Sequence, residues 1–116
     1  MSVSIYYTCE RNEALSSVEN KKIAAIVDEY NTNFQWQAIA ETFYVYDQHN
    51  DPPIIFEGST KLPLTDDYEV TIQSLFYWLE CLTAIRNVID NGEWHVHLDD
   101  VDAVWDEEKG WKMPSY

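Results

Sequence analysis

The chain predicts an α+β fold: a two-layer sandwich in which a mostly antiparallel sheet carries two helices on one face. Three observations lead there. Two segments place apolar residues at helical spacing. The segments before, between and after them alternate apolar with polar residues, or are rich in β-branched and aromatic ones. Two apolar helix faces and one such sheet bury each other most economically as stacked layers. The expected order is β-α-β-β-β-α-β-β-β in a single domain over residues 1–116. Hydrophobic residues at 46% and aromatics at 15% supply a modest core and exclude disorder, and three Gly and four Pro exclude a low-complexity chain.

Residues 3–8 (VSIYYT) are β-branched and aromatic and read as the first strand. Ser16 and Glu19 then form a capping box. The Ser16 hydroxyl accepts from the Glu19 amide while the Glu19 carboxylate reaches back to the Ser16 amide. Ile23, Ile26, Val27 and Tyr30 follow at helical spacing, so the first helix is expected over residues 17–30, stopped by Asn31, Thr32 and Asn33. Phe34, Trp36 and Ala38 alternate with Gln35 and Gln37 and read as a strand. Residues 42–47 (TFYVYD) read as another, with Phe43 and Val45 on one face and Tyr44 and Tyr46 on the other. Residues 48–53 form a loop, because Asn-Asp-Pro-Pro cannot continue a ladder. A strand begins at Ile54 and runs towards Lys61, with a bulge expected at Gly58.

Thr65, Asp66 and Asp67 mark the start of the second helix. Ile72, Leu75, Phe76, Leu79, Leu82, Ile85, Val88 and Ile89 give it one continuous apolar face, and Asp90, Asn91 and Gly92 end it, with Gly92 as the left-handed cap. Residues 94–99 alternate again: Trp94, Val96 and Leu98 point one way, His95, His97 and Asp99 the other. Residues 101–105 and 111–113, joined by 106–110 with Gly110 at the special turn position, predict a closing hairpin. With both helices on one face, the other face of the sheet turns Tyr, Trp, His and carboxylate side chains to solvent.

Charge is the strongest functional signal. Seven Lys and Arg stand against 21 Asp and Glu, a formal net charge of −14. Asp99, Asp100, Asp102, Asp106, Glu107 and Glu108 place six acids within ten residues, beside Trp94, Trp105 and Trp111. Such a surface attracts cations and basic proteins and repels nucleic acid and anionic lipid, so neither nucleic acid nor membrane is an expected partner. Cys9 and Cys81 are too few and too far apart for a disulfide framework, and read as two buried thiols in a reducing compartment. Residues 1–11 hold no signal-peptide pattern, and no apolar run reaches the length of about 18 residues that a span needs. A cytoplasmic protein is the expectation.

Catalytic equipment is sparse. His95, His97 and Asp99 lie two residues apart, which on a strand puts them on one face at roughly 7 Å spacing, a set of donors suited to zinc. The string His95-Val96-His97-Leu98-Asp99-Asp100 resembles the HxHxDH signature of metallo-β-lactamase-like hydrolases. Asp100 replaces the last histidine, and only His49 remains to supply further ligands. The competing reading is a strand with polar outward residues in an acidic field. The run through Asp100 and Asp102 departs from a calcium-loop pattern at its third ligand and lacks the glycine. No Ser-His-Asp, Cys-His or phosphate-loop motif is present, and Cys81, Tyr77 and Trp78 read as core residues of the second helix. No metal, cofactor or catalytic residue is therefore assigned.

A small, strongly acidic, aromatic-rich α+β chain without catalytic equipment resembles the bacterial immunity proteins that neutralise polymorphic or contact-dependent toxins. The residues that carry the resemblance are the six acids and Trp94, Trp105 and Trp111. It implies a protein that binds a basic toxin domain, often a nuclease, and occludes or distorts its active site. The expected contact surface is Asp99, Asp100, Asp102, Trp105, Asp106, Glu107, Glu108 and Trp111, with Tyr44 and Tyr46 adjoining. Two alternatives remain: an interaction or regulatory module that forms a homodimer through its aromatic sheet face, and a small metal-dependent enzyme at His95, His97 and Asp99.

Overall fold

A computed structural model describes residues 3–38, 40–46, 52–63, 67–89 and 91–114. Its elements run β1 (Ser4–Glu10), α1 (Ser17–Asn33), β2 (Tyr44–Val45), β3 (Ile54–Lys61), α2 (Tyr68–Arg86), β4 (Glu93–Leu98), β5 (Val101–Asp102), β6 (Val104–Asp106) and β7 (Gly110–Lys112). Five strands form one antiparallel sheet in the order β2-β3-β1-β4-β5, and β6 and β7 form a separate two-stranded ribbon. The result is the expected α+β sandwich. No helix among the described residues is long and apolar enough to cross a membrane.

The core lies between the sheet and α2. Alternation in β1 puts Ile5, Tyr7 and Cys9 inward, and their cross-strand neighbours follow: Gly58 and Val96 flank Tyr7, Phe56 and Trp94 flank Cys9. From α2, Leu75, Trp78, Leu79, Leu82 and Ile85 close over them, each at most 2% exposed. Burying a side chain of this size contributes about 1.5–3 kcal/mol. Phe76, expected on that face, is 43% exposed instead, because the buried face of α2 is rotated towards Ser74, Trp78 and Cys81 and leaves Phe76 outside it.

The capping box forms as expected, with Glu19 N donating to Ser16 Oγ at 3.1 Å and Ser16 N to Glu19 Oε1 at 2.8 Å. The helix does not stop at Asn31 but continues to Asn33. The Asn31 side chain is occupied elsewhere: it donates to Phe43 O at 3.1 Å and accepts from Phe43 N at 2.8 Å, so it does not compete with its own helix. Residues 34–38 are a turn rather than a strand. Phe34 drops into the core 4.6 Å from Trp78, and Ala40 N donates to Trp36 O. The alternation of Phe34 with Trp36 reflects a ring wedged under α2 and a second ring packed edge-on against it.

The strand expected over residues 42–47 is reduced to Tyr44–Val45, with Tyr46 N donating to Glu57 O at 2.8 Å; Asp47 lies outside the described residues, as do 48–51 of the expected loop and the expected helix-start residues Thr65 and Asp66. Asp67 caps α2, accepting from Glu69 N. The register runs unbroken through Gly58, and the irregularity falls where Cys9 and Glu10 face Phe56 and Ile54. Gly58 is required for a different reason: a Cβ there would meet the Tyr7 ring at 2.5 Å and Tyr44 O at 2.2 Å. Helix α2 ends at Arg86, and the left-handed residue after it is Asn91 (φ 60°) rather than Gly92; Asp90 lies outside the described residues. The strand expected over 101–105 breaks at Ala103, whose N donates to Val96 O at 2.8 Å, into β5 and β6 of different sheets.

Candidate functional site

That break divides the acidic run. Asp99 and Asp100 form the tight turn between β4 and β5, with Asp99 left-handed at φ 50°, a conformation that aspartate tolerates. Asp102 lies opposite His97 at the outer edge of the sheet. All three are exposed. Beyond Ala103 the chain leaves the sheet, and the β6–β7 ribbon packs on α2, with Trp111 N donating to Thr83 Oγ1 at 3.0 Å.

In the ribbon the tryptophans serve the fold. Trp111 is 7% exposed and packs edge-on against Trp94 (6.3 Å) and Trp105 (5.5 Å). The Arg86 guanidinium covers Trp105 at 4.0 Å and Trp111 at 5.0 Å, a cation–π lid on a half-buried indole. Burial lowers the Arg86 pKa, and the Glu107 carboxylate works against that. Asp106 holds the turn: its Oδ1 accepts from Glu108 N (2.8 Å) and Lys109 N (3.0 Å), and Lys112 Nζ lies 3.3 Å from Oδ2. Those bonds keep its carboxyl below the usual carboxylate range. Of the eight contact residues expected from sequence, Asp99, Asp100, Asp102, Glu107 and Glu108 are exposed. Trp105 and Asp106 are half-buried and engaged, and Trp111 belongs to the core.

The sheet face away from the helices is a second open surface. One row crosses all five strands: Tyr44, Ser59, Tyr6, His97, Asp102. Tyr6 stacks on His97 (5.1 Å, 20°), and His97 stacks on His95 (4.7 Å, 29°). Tyr44 and Tyr46 approach at 5.9 Å, and Tyr46 Oη donates to Ser59 Oγ at 3.0 Å. Tyr44 is 56% and Tyr6 39% exposed. Beneath them the buried Tyr7 hydroxyl donates to Tyr44 O at 2.6 Å and lies 2.8 Å from Thr60 Oγ1, which pins β2 to the sheet. Sequence reasoning reached Tyr44 and Tyr46 but passed over Tyr6. The signal was available: in β1 alternation makes Tyr6 the outward neighbour of the inward Ile5 and Tyr7.

The histidines are arranged differently from the expected His95, His97, Asp99 set. The left-handed turn takes the Asp99 side chain off the strand face, and it is the Asp99 carbonyl that lies 2.9 Å from His97 Nδ1. Asp102 becomes the carboxylate partner, with Oδ1 2.8 Å from His95 Nε2 in a pair that is largely solvent-exposed. Among the described residues no group of three or more His, Cys, Asp and Glu side chains is arranged to hold a metal ion; His49 lies outside them. Cys9 and Cys81 are buried free thiols, and burial pushes both pKa values up, Cys9 to about 11, which keeps the nucleophilic thiolate scarce at neutral pH. What these residues offer chemically is recognition through charge, flat rings and hydrogen bonds. No protein-family profile, curated protein or solved structure matches the chain.

Proposed function

We propose that the chain is a non-catalytic acidic binding protein of the immunity kind, which associates in the cytoplasm with a basic toxin domain and blocks it. The observation that carries this reading is the excess of 21 Asp and Glu over seven Lys and Arg, with Asp99, Asp100, Asp102, Glu107 and Glu108 exposed on two consecutive hairpins. A field of that sign draws in a basic protein from a distance and raises the rate of productive encounter. Enzymes that act on nucleic acid have basic sites because they hold phosphate, and carboxylates mounted on short, fixed turns can fill the same field. The charge supports a basic partner; the resemblance to immunity proteins adds that the partner is a toxin.

The test is a titration against a panel of purified basic nuclease toxin domains, read by calorimetry and stopped-flow fluorescence. An equimolar complex should form, with an association rate that falls as salt rises. In the Asp100→Lys, Glu107→Lys, Glu108→Lys triple variant that rate should drop about tenfold or more, with the melting temperature unchanged. A rate unchanged in the variant would remove the hairpins from the contact, and failure of any such basic domain to bind would end the reading.

A further inference from the structure

We infer that the open face of the five-stranded sheet is a docking surface for arginine side chains of a basic protein, seated on the rings of Tyr6, His95 and Tyr44, with His97 holding the first two in line. The inference rests on the acidic-binder reading and extends it from the hairpins to the sheet. Three observations carry it. The first is the stack itself. Tyr6, His97 and His95 form a ladder in which neither Tyr6 nor His95 has a second ring partner among the described residues. A planar guanidinium extends such a ladder at either end, whereas a lysine ammonium cannot stack.

The second observation is charge. Glu10, Glu57, Glu93 and Asp102 project from this face, against Lys61. Glu10 and Glu93 lie directly opposite each other on β1 and β4, and among the described residues neither makes an ion pair. Like charges facing each other across a ladder destabilise it, and a cation between them removes the penalty. The guanidinium fork suits two carboxylates held side by side. The third is shape. Beyond Tyr44 and Tyr46 the face continues into a groove of about 620 Å³ that includes Ser4, Glu41, Ser59 and Lys61, so a long side chain lying across the rings has somewhere to end. The same acids argue against a second copy of this chain as the occupant, since two such faces repel.

Nona-arginine and nona-lysine peptides, equal in charge, separate stacking from simple attraction. Each is titrated into isotopically labelled protein at physiological salt, with binding read from backbone amide and aromatic ring resonances. Nona-arginine should bind about fivefold or more tightly than nona-lysine, which is the size of a solvent-exposed stacking preference. The largest shifts should fall on Tyr6, His95, His97 and Tyr44. Tyr6→Ser, and separately His97→Ser, should bring nona-arginine down to the nona-lysine affinity while leaving nona-lysine binding unchanged, a split that a misfolded variant would not give. Equal affinities for the two peptides would overturn the inference. So would shifts centred on residues 107–109 and abolished by Glu107→Lys, Glu108→Lys, though the acidic-binder reading would survive that result. Ring shifts that track protein concentration without peptide would assign the face to self-association. No binding of either peptide, even at low salt, would end both readings.

Discussion

The β4–β5 hairpin and the β6–β7 ribbon follow each other in the chain and divide one acidic run between them, yet they treat their aromatic neighbours in opposite ways. Around β4–β5 the flat rings of His95 and His97 face outward and stack on Tyr6, with Asp102 as a hydrogen-bond partner at the rim. In β6–β7 the rings of Trp105 and Trp111 face inward, sealed by Arg86 from α2, and Asp106 is bound into its own turn. The cause lies in what each hairpin can reach. β5 adds to the edge of a sheet whose inner face is already filled by Val96 and its neighbours, so its partners have only the outer face. β6 and β7 leave the sheet and must bury their own apolar side against α2. An acid beside a tryptophan is thus a surface feature in one case and a structural one in the other, and only the register tells them apart.

The comparison breaks most visibly at Trp111. Trp111→Ala removes the indole that Trp94, Trp105 and Arg86 all contact, and the expected cost is about 3–5 kcal/mol, the range for a large aromatic deleted from a core. Tyr44→Ala on the open face should change stability by no more than about 0.5 kcal/mol. Urea unfolding of both variants checks this. Comparable losses would mean that the open face is as much a part of the folding core as the ribbon.

A smaller effect is expected at the ribbon's pivot. Gly110 has φ 85°, and a Cβ there would meet Thr83 Cγ2 and Oγ1 at 2.5 Å. Gly110→Ala therefore combines backbone strain with displacement of the hydroxyl that accepts from Trp111 N, for a cost of about 1–3 kcal/mol. Amide exchange should accelerate in residues 104–112 and stay unchanged in β1 and β4. Uniform acceleration would show that the ribbon does not open independently of the sheet.

The frame of the molecule was legible in the sequence because it is written in local signals. The Ser16–Glu19 box, the apolar stripe from Leu75 to Ile85 and the alternation in β1 and β4 each need only near neighbours to be read. The expectations that changed depended on distant partners. Asn31 looks like a helix stop until Phe43 occupies its side chain, and Phe34 and Trp36 look like a strand until Tyr77 and Trp78 receive the Phe34 ring and Trp36 packs edge-on against it. The site divides along the same line. Asp99, Asp100, Asp102, Glu107 and Glu108 were readable as exposed, since a run of charge on turns has few other places to go. That Trp111 is internal, that Asp102 replaces Asp99 beside the histidines, and that Tyr6 joins their stack all follow from which strands pair, and pairing is not a local property.

The last contrast lies among the carboxylates themselves, between those that serve the fold and those that face solvent. Glu19 belongs to the first kind. It takes N–H groups from Arg11 at 3.0 and 2.9 Å and from Ser16 at 2.8 Å, tying the β1–α1 loop to the first turn of the helix. The Arg11 bonds first, and the Ser16 amide next, hold its pKa down at about 2. An unfolded glutamate titrates at about 4.3, so the folded state prefers the charged form. The stabilisation is complete above that unfolded value and is lost as pH falls towards the folded one. Glu19→Gln should accordingly lower stability by about 1 kcal/mol at neutral pH, and its melting curve should converge on that of the wild type as pH falls from about 4 to about 2. Glu108→Gln, at the solvent-exposed tip of the ribbon, should not lower the melting temperature at any pH in that window. If Glu19→Gln stayed below the wild type by the same margin at low pH, the clamp would act through packing of the Arg11 stem rather than through charge, and the division between internal and outward carboxylates would have to be drawn without Glu19.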